Sequence, residues 1–261
     1  MYNFEFVKPA TVADAIAALG EEEAQALGGG QTLIPTLKQR LAAPAKLVSL
    51  TGIAEMKGVS TAGGVVTIGG GTAHAVVAAE VAGAYPALAA LAGNIGDPAV
   101  RNRGTIGGSL ANNDPSACYP AAALGSAATI VTSNREIAAD DYFQGMFTTA
   151  LEEGEIITAV RFPVPEAANY QKFEQPASRF ALVGVFVAKY PEGVRVAVTG
   201  ASEEGVFRWS EAEAALSADF SPAALDGLTA SADGLIGDLH GTPDYRAHLI
   251  KVLTKRAVAA A

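Results

Sequence analysis

Apolar residues recur along this chain at two periods, and the switches between them predict the order of its elements. Thr11 and Asp14 have the spacing of a capping box, and Val12, Ile16 and Leu19 would form one face of a helix that Gly20 ends. Ala24 to Leu27 is a short apolar strand that runs into Gly28-Gly29-Gly30-Gln31-Thr32. Leu33, Leu37 and Leu41, spaced by four, predict a helix over 33–41, and Lys46 to Leu50 and Val65 to Ile68 read as strands. Strand, glycine loop, helix and strand within about 30 residues have the size of a βαβ unit.

Further on, Thr72 is placed to cap a helix running to about Val81, and Pro86 to Ala92 supplies another helical turn. A second glycine-rich stretch, Gly104 to Pro115, follows. Ala127 to Thr132 is a β-branched strand with a turn at Ser133-Asn134, and Glu155 to Phe162 is another strand, closed by Pro163 and Pro165. The composition changes at Glu166 to Asn169, which reads as a linker. Beyond it, Tyr170 to Phe173, Phe180 to Ala188 and Val194 to Val198 suggest a small sheet. Helices over Pro222 to Ala232 and Tyr245 to Ala259 would cover one of its faces, giving an α+β tail.

Composition narrows the function. Half of the 261 residues are hydrophobic and 17% are charged, which excludes a disordered chain. A net charge of -9 disfavours nucleic acid, whose phosphates require a basic face. No apolar run reaches the roughly 18 residues of a membrane span, and the first residues lack the pattern of a signal peptide, so a cytoplasmic location is expected. One cysteine, Cys118, excludes an internal disulfide and an iron–sulfur cluster held by this chain alone. His74, His240 and His248 have no metal-ligand spacing, so no metal site is expected. Nor does the sequence offer an evident acid–base pair, and no catalytic residue is assigned.

The two glycine loops carry the candidate chemistry. Gly28-Gly29-Gly30 would let backbone N–H groups approach an anion, with the positive end of the helix near Leu33 behind them and the Thr32 hydroxyl as a further donor. The spacing is neither G-x-G-x-x-G nor a Walker loop. In the second loop Thr105, Ser109, Asn112 and Asn113 surround Gly107-Gly108, with Asp114 and Pro115 at its end. Such a segment offers N–H groups for phosphate and side chains for ribityl or ribose hydroxyls. From the residues alone, the ligand is a dinucleotide or another diphosphate.

Four blocks in this order also resemble a known family. Gly28 to Pro35 (GGGQTLIP) is similar to the first flavin loop of the FAD-binding medium subunits of carbon monoxide dehydrogenase and xanthine dehydrogenase relatives. Arg101 to Asn112 (RNRGTIGGSLAN) resembles their second flavin loop. Tyr142 to Leu151 with Glu155-Ile156-Ile157 and Phe162-Pro163 is similar to a third block, and Tyr170-Gln171-Lys172-Phe173 with Arg179-Phe180-Ala181 to a fourth.

The resemblance implies an α+β protein. An FAD-binding region of two α/β lobes, of the PCMH/vanillyl-alcohol-oxidase type, would span residues 1–165, with lobes about 1–58 and 59–165. A smaller α+β domain over 169–261 would follow. It implies that Gly28, Gly29, Gly30, Gln31, Thr32 and Leu33 in one loop, and Thr105, Ile106, Gly107, Gly108 and Ser109 in the other, contact the FAD diphosphate. Asn112 and Asp114 would meet ribityl or ribose groups, and Lys172 would lie near the flavin. Partners would be an iron–sulfur small subunit and a molybdopterin large subunit, with NAD, a quinone or oxygen as external electron acceptor. Alanine usually stands where this chain has Gly28. Cys118 replaces a frequent aspartate, and the acid of the R-x-x-D block is missing before Phe180.

Each of these residues also has a plainer reading. Lys172 in a strand would be a solvated outward residue, Tyr170 and Phe173 core, His74 a surface or capping group, and Cys118 a small packing residue. Arg101 and Arg103 would either brace their loop or meet a diphosphate. Two other functions stay open: a free-standing FAD-dependent oxidoreductase, which needs a substrate pocket and a base of its own, and a non-catalytic assembly subunit.

Overall fold

Thr11 behaves as its spacing requires: its hydroxyl accepts the Asp14 N–H at 3.1 Å and starts the helix Val12–Leu19. That helix lies on a three-stranded parallel sheet in which Lys46–Ser49 is flanked by Glu5–Val7 and Ala24–Leu27. The computed structural model describes residues 1–261. Ala15 and Leu19 face the core, whereas Ile16 stands at its rim and Gly20 ends the helix in an ordinary right-handed conformation. The first glycine loop leaves the carboxyl end of Ala24–Leu27, the end at which parallel strands present ligands.

The second sheet is antiparallel, in the order Val59–Ala62, Val65–Gly69, Ile157–Pro163, Thr129–Thr132 and Glu136–Ala138. Helices His74–Glu80, Pro86–Gly93, Ile106–Asn112 and Tyr119–Gly125 contribute to the largest apolar core together with this sheet. The third sheet is an antiparallel meander of Ala167–Glu174, Ala181–Tyr190, Gly193–Ser202 and Gly205–Arg208. Helices Ser210–Ala218 and Pro243–Ala260 cover it. Arg195 joins this sheet to the rest of the chain, donating to the Leu124 carbonyl and to both Asp140 carboxylate oxygens.

Several expected boundaries move, each for a local reason. The helix after the first loop stops at Lys38, because Arg40 turns left-handed (φ 61°) and the Leu41 N–H closes back onto the Thr36 carbonyl. Leu41 is left in solvent, outside the apolar face its spacing suggested. Thr72 does not cap the next helix. Its hydroxyl bonds both N–H and C=O of Gly58, and His74 begins the helix after Ala73. Glu155 is not strand: its buried carboxylate accepts from Thr132, Arg135 and the Glu152 N–H.

The expected linker residues Ala167 to Asn169 already pair with the neighbouring strand. Pro222 to Ala232 forms only a 3-10 turn, Pro222–Leu225, after which the Asp226 carbonyl accepts from the Lys251 ammonium. The second covering helix is instead Ser210–Ala218, whose alanine- and acid-rich sequence has little periodicity, although Ala212 and Leu216 are buried.

Candidate functional site

A cleft of about 800 Å³ runs between the first glycine loop, the Gly104–Ala117 segment and the turn that joins the first two strands of the third sheet. Gly28, Gly29, Gly30, Gln31, Thr32 and Leu33 line one wall, and Thr105, Gly107, Gly108, Ser109, Asn112 and Asp114 line another. Lys172 joins them from the third sheet. Ile106 does not reach the cleft: its side chain is fully buried in the large core beneath.

The two loops offer different chemistry. The N–H groups of Gly28, Gly29, Gly30, Gln31 and Thr32 donate to no oxygen of the chain. Five successive unpaired donors at one cleft wall suit an anion. The second loop is folded into a helix, with the Thr105 hydroxyl accepting the Gly108 N–H at 3.1 Å. Its other leading N–H groups are also engaged: Ile106 donates to the Thr72 carbonyl, Gly107 to that of Gly70, and Ser109 to that of Thr105. The expectation that this segment presents several free N–H groups therefore narrows to one, that of Thr105. What remains free on it is the Thr105 N–H, the proton of the Thr105 hydroxyl, the hydroxyl of Ser109 and the side-chain amide of Asn112.

The glycines explain how these walls approach each other. A β-carbon on Gly29 would sit 1.8 Å from the Arg103 carbonyl oxygen, and one on Gly107 would sit 2.6 Å from that of Gly70. Backbone therefore packs on backbone, and only glycine fits there. Gly28 is less confined, since a β-carbon would meet the Thr105 hydroxyl at 3.0 Å and the nearest backbone atom, the Gly108 Cα, at 3.8 Å.

Lys172 is not the solvated strand residue of its plain reading. Its side chain is 0% exposed, and the ammonium donates to the carbonyls of Asn94 at 2.6 Å and Arg179 at 2.8 Å. Arg179 takes a left-handed conformation (φ 60°) in the turn that, with Ser178 and Phe180, closes that end of the cleft. The Cys118 sulfur lies 3.8 Å from the same ammonium, and burial pushes the thiol pKa up. Asn112 and Asp114 flank Asn113, whose left-handed conformation ends the helix. Asp114 also accepts the Ser116 N–H at 2.8 Å.

His74 was read as a surface or capping residue and is neither. It is 4% exposed, lines the cleft and packs against Tyr119 with ring centroids 5.2 Å apart. Its pKa falls to about 4, first because burial disfavours the cation and then because Arg101 is near, so the ring is neutral at pH 7. Its Nδ1 and the Tyr119 hydroxyl are buried without partners. Only tertiary packing distinguishes this histidine, through Gly104, where a β-carbon would lie 2.5 Å from Nε2. Arg101 braces its loop, donating to the carbonyls of Ile95 and Gly96. Tyr170 is core, packed on Phe186.

Residues 2–165 match the family described as the FAD binding domain in molybdopterin dehydrogenase. The chain is 32% identical to the carbon monoxide dehydrogenase medium chain of Afipia carboxidovorans, covering 98% of this chain and 96% of that one. It is also 32% identical to the nicotine 6-hydroxylase medium subunit of Paenarthrobacter nicotinovorans, with the same shares covered. Among solved structures, carbon monoxide dehydrogenase from Hydrogenophaga pseudoflava superposes with a TM-score of 0.87 at 32% identity, covering 100% of this chain and 97% of that one. Quinoline 2-oxidoreductase from Pseudomonas putida 86 gives a TM-score of 0.89 at 28% identity, with the same coverage.

Proposed function

The chain belongs to the FAD-binding family of the molybdopterin dehydrogenases, and from that premise we propose that it is the electron-exit subunit of a molybdenum hydroxylase complex. In this reading an iron–sulfur small subunit delivers electrons that a molybdopterin large subunit has taken from substrate. An external acceptor (NAD, a quinone or oxygen) removes them. Two similar proteins are named as the medium chain or medium subunit of their enzymes, which supports partners of both kinds. Residues 1–165 would form the FAD-binding domain, and residues 169–261 the C-terminal domain that closes the cleft.

The observation that carries the reading is the row of five N–H groups without acceptors at residues 28 to 32. It fits the diphosphate of FAD, and a cleft of about 800 Å³ lies within the usual range for a single organic ligand. Gly28 to Leu33 would hold the diphosphate, with the Thr105 and Ser109 hydroxyls as donors from the opposite wall. Asn112 and Asp114 would take ribityl or ribose hydroxyls. Lys172 places a fixed positive charge at the cleft wall, which lowers the cost of negative charge developing there. FAD, when bound, supplies exchange between one-electron and two-electron carriers. The chain's own residues bind, orient and tune.

Removal of FAD from the purified complex tests this reading. Substrate oxidation with a one-electron dye should persist, while reduction of the physiological acceptor should vanish and return when FAD is added back. Unchanged acceptor reduction by the FAD-free complex would overturn it.

A further inference from the structure

Within the third sequence block, the stretch Tyr142 to Leu151 contributes only Leu151 to the cleft wall, and its conformation is unusual. Strands Phe143–Gly145 and Thr148–Thr149 form a small hairpin with Met146 and Phe147 at its tip. Phe147 is 58% exposed and left-handed (φ 55°), a conformation that glycine or asparagine adopts far more readily than a bulky aromatic. Met146 beside it is also exposed. Neither side chain contributes to the core of this chain, so folding alone gives no reason for an aromatic at this point.

The tip is nevertheless held rigidly. The buried Asn113 side chain donates to the carbonyls of Gly145 and Thr148, both at 2.8 Å, and the Phe147 N–H donates to the Asn113 carbonyl at 3.1 Å. Asn112 and Asp114, on either side of Asn113, line the cleft, so one short segment forms the cleft rim and fixes the apolar tip. Beside the tip stand two exposed carboxylates without ion-pair partners. Glu203 and Glu204 lie in the turn whose Gly205 packs against the backbone of Gly145 and Met146.

We propose that Met146 and Phe147 are a preformed docking knob for the partner subunit that carries the iron–sulfur clusters, received in an apolar socket with a lysine- or arginine-rich rim. This rests on the reading of the chain as an electron-exit subunit. An exposed aromatic on a backbone held in one conformation contributes contact area at reduced entropic cost on binding, which is how interface anchors act. The Glu203 and Glu204 carboxylates set the sign of the partner's rim and make association salt-dependent. Attachment at the cleft rim brings a one-electron carrier next to the cofactor site, which singles out the iron–sulfur subunit over the molybdopterin subunit.

The test uses the purified complex and two changes at one position. Phe147→Gly relieves the left-handed backbone, so the chain should keep its FAD content and melt no lower than wild type. Its complex should dissociate on dilution at a concentration at least about tenfold higher. A photoreactive benzoylphenylalanine introduced at position 147 should crosslink to the iron–sulfur subunit. A Phe147→Gly complex as tight as wild type overturns the knob and leaves the electron-exit reading standing. So does a crosslink to the molybdopterin subunit or to a second copy of this chain. A wild-type chain that holds FAD but joins no partner overturns both.

Discussion

Gly29 lies against Arg103 so closely that a β-carbon on the glycine would fall 1.8 Å from the arginine's carbonyl oxygen. The first glycine loop therefore does two things: it leaves its N–H groups free and seats itself against the second loop. Gly29→Ala should part the two loops, destabilise the chain by at least about 2 kcal/mol and abolish FAD retention. Gly28→Ala, which meets a side-chain hydroxyl at 3.0 Å rather than backbone, should cost less than about 1 kcal/mol and keep FAD. Urea unfolding and the FAD-to-protein ratio check both. Equal behaviour of the two variants would contradict the assignment of close packing to Gly29.

Lys172 ties the turn that closes the cleft to the helical layer, through Arg179 and Asn94. Lys172→Met keeps the bulk and leaves two carbonyls without their donor, at a cost of about 1–3 kcal/mol for each group that stays buried. The flavin potential of the variant should also fall, because a positive charge that favours the reduced form is gone. A variant with wild-type stability and potential would return Lys172 to the plain role of a strand residue.

The strands and the first loop were legible because each depends on local sequence: Ala24–Leu27, Lys46–Ser49 and Val65–Gly69 lie where periodicity put them. Four blocks of resemblance pointed to the family and to FAD. What stayed hidden was non-local. Nothing near Gly107 announces that its N–H is taken by Gly70, and Thr72 resembles a helix cap until the Gly58 backbone claims its hydroxyl. His74 looks like any helix-start residue in the sequence, yet packing against Gly104 and Tyr119 buries it.

That burial sets a pH dependence. The His74 pKa is lowered from 6.5 to about 4, so folding favours the neutral ring. The stabilisation is fully present above pH 6.5 and is lost as pH falls from there towards 4. The lowering corresponds to about 3 kcal/mol between those limits. Glu155 and Asp226, whose pKa values are also lowered, lose their contributions at more acidic pH and in the same direction. His74→Gln cannot take up the proton, so its stability should fall less steeply than wild type between pH 6.5 and 4. Parallel curves from urea unfolding would show that His74 titrates normally.

The most direct measurement is the visible absorption spectrum of the purified chain, followed by release of any bound cofactor by acid and its identification. The free N–H row at residues 28 to 32 predicts a yellow protein with about one FAD per chain, and the Gly29→Ala variant should be colourless. A colourless wild-type chain that takes up no added FAD would contradict the account.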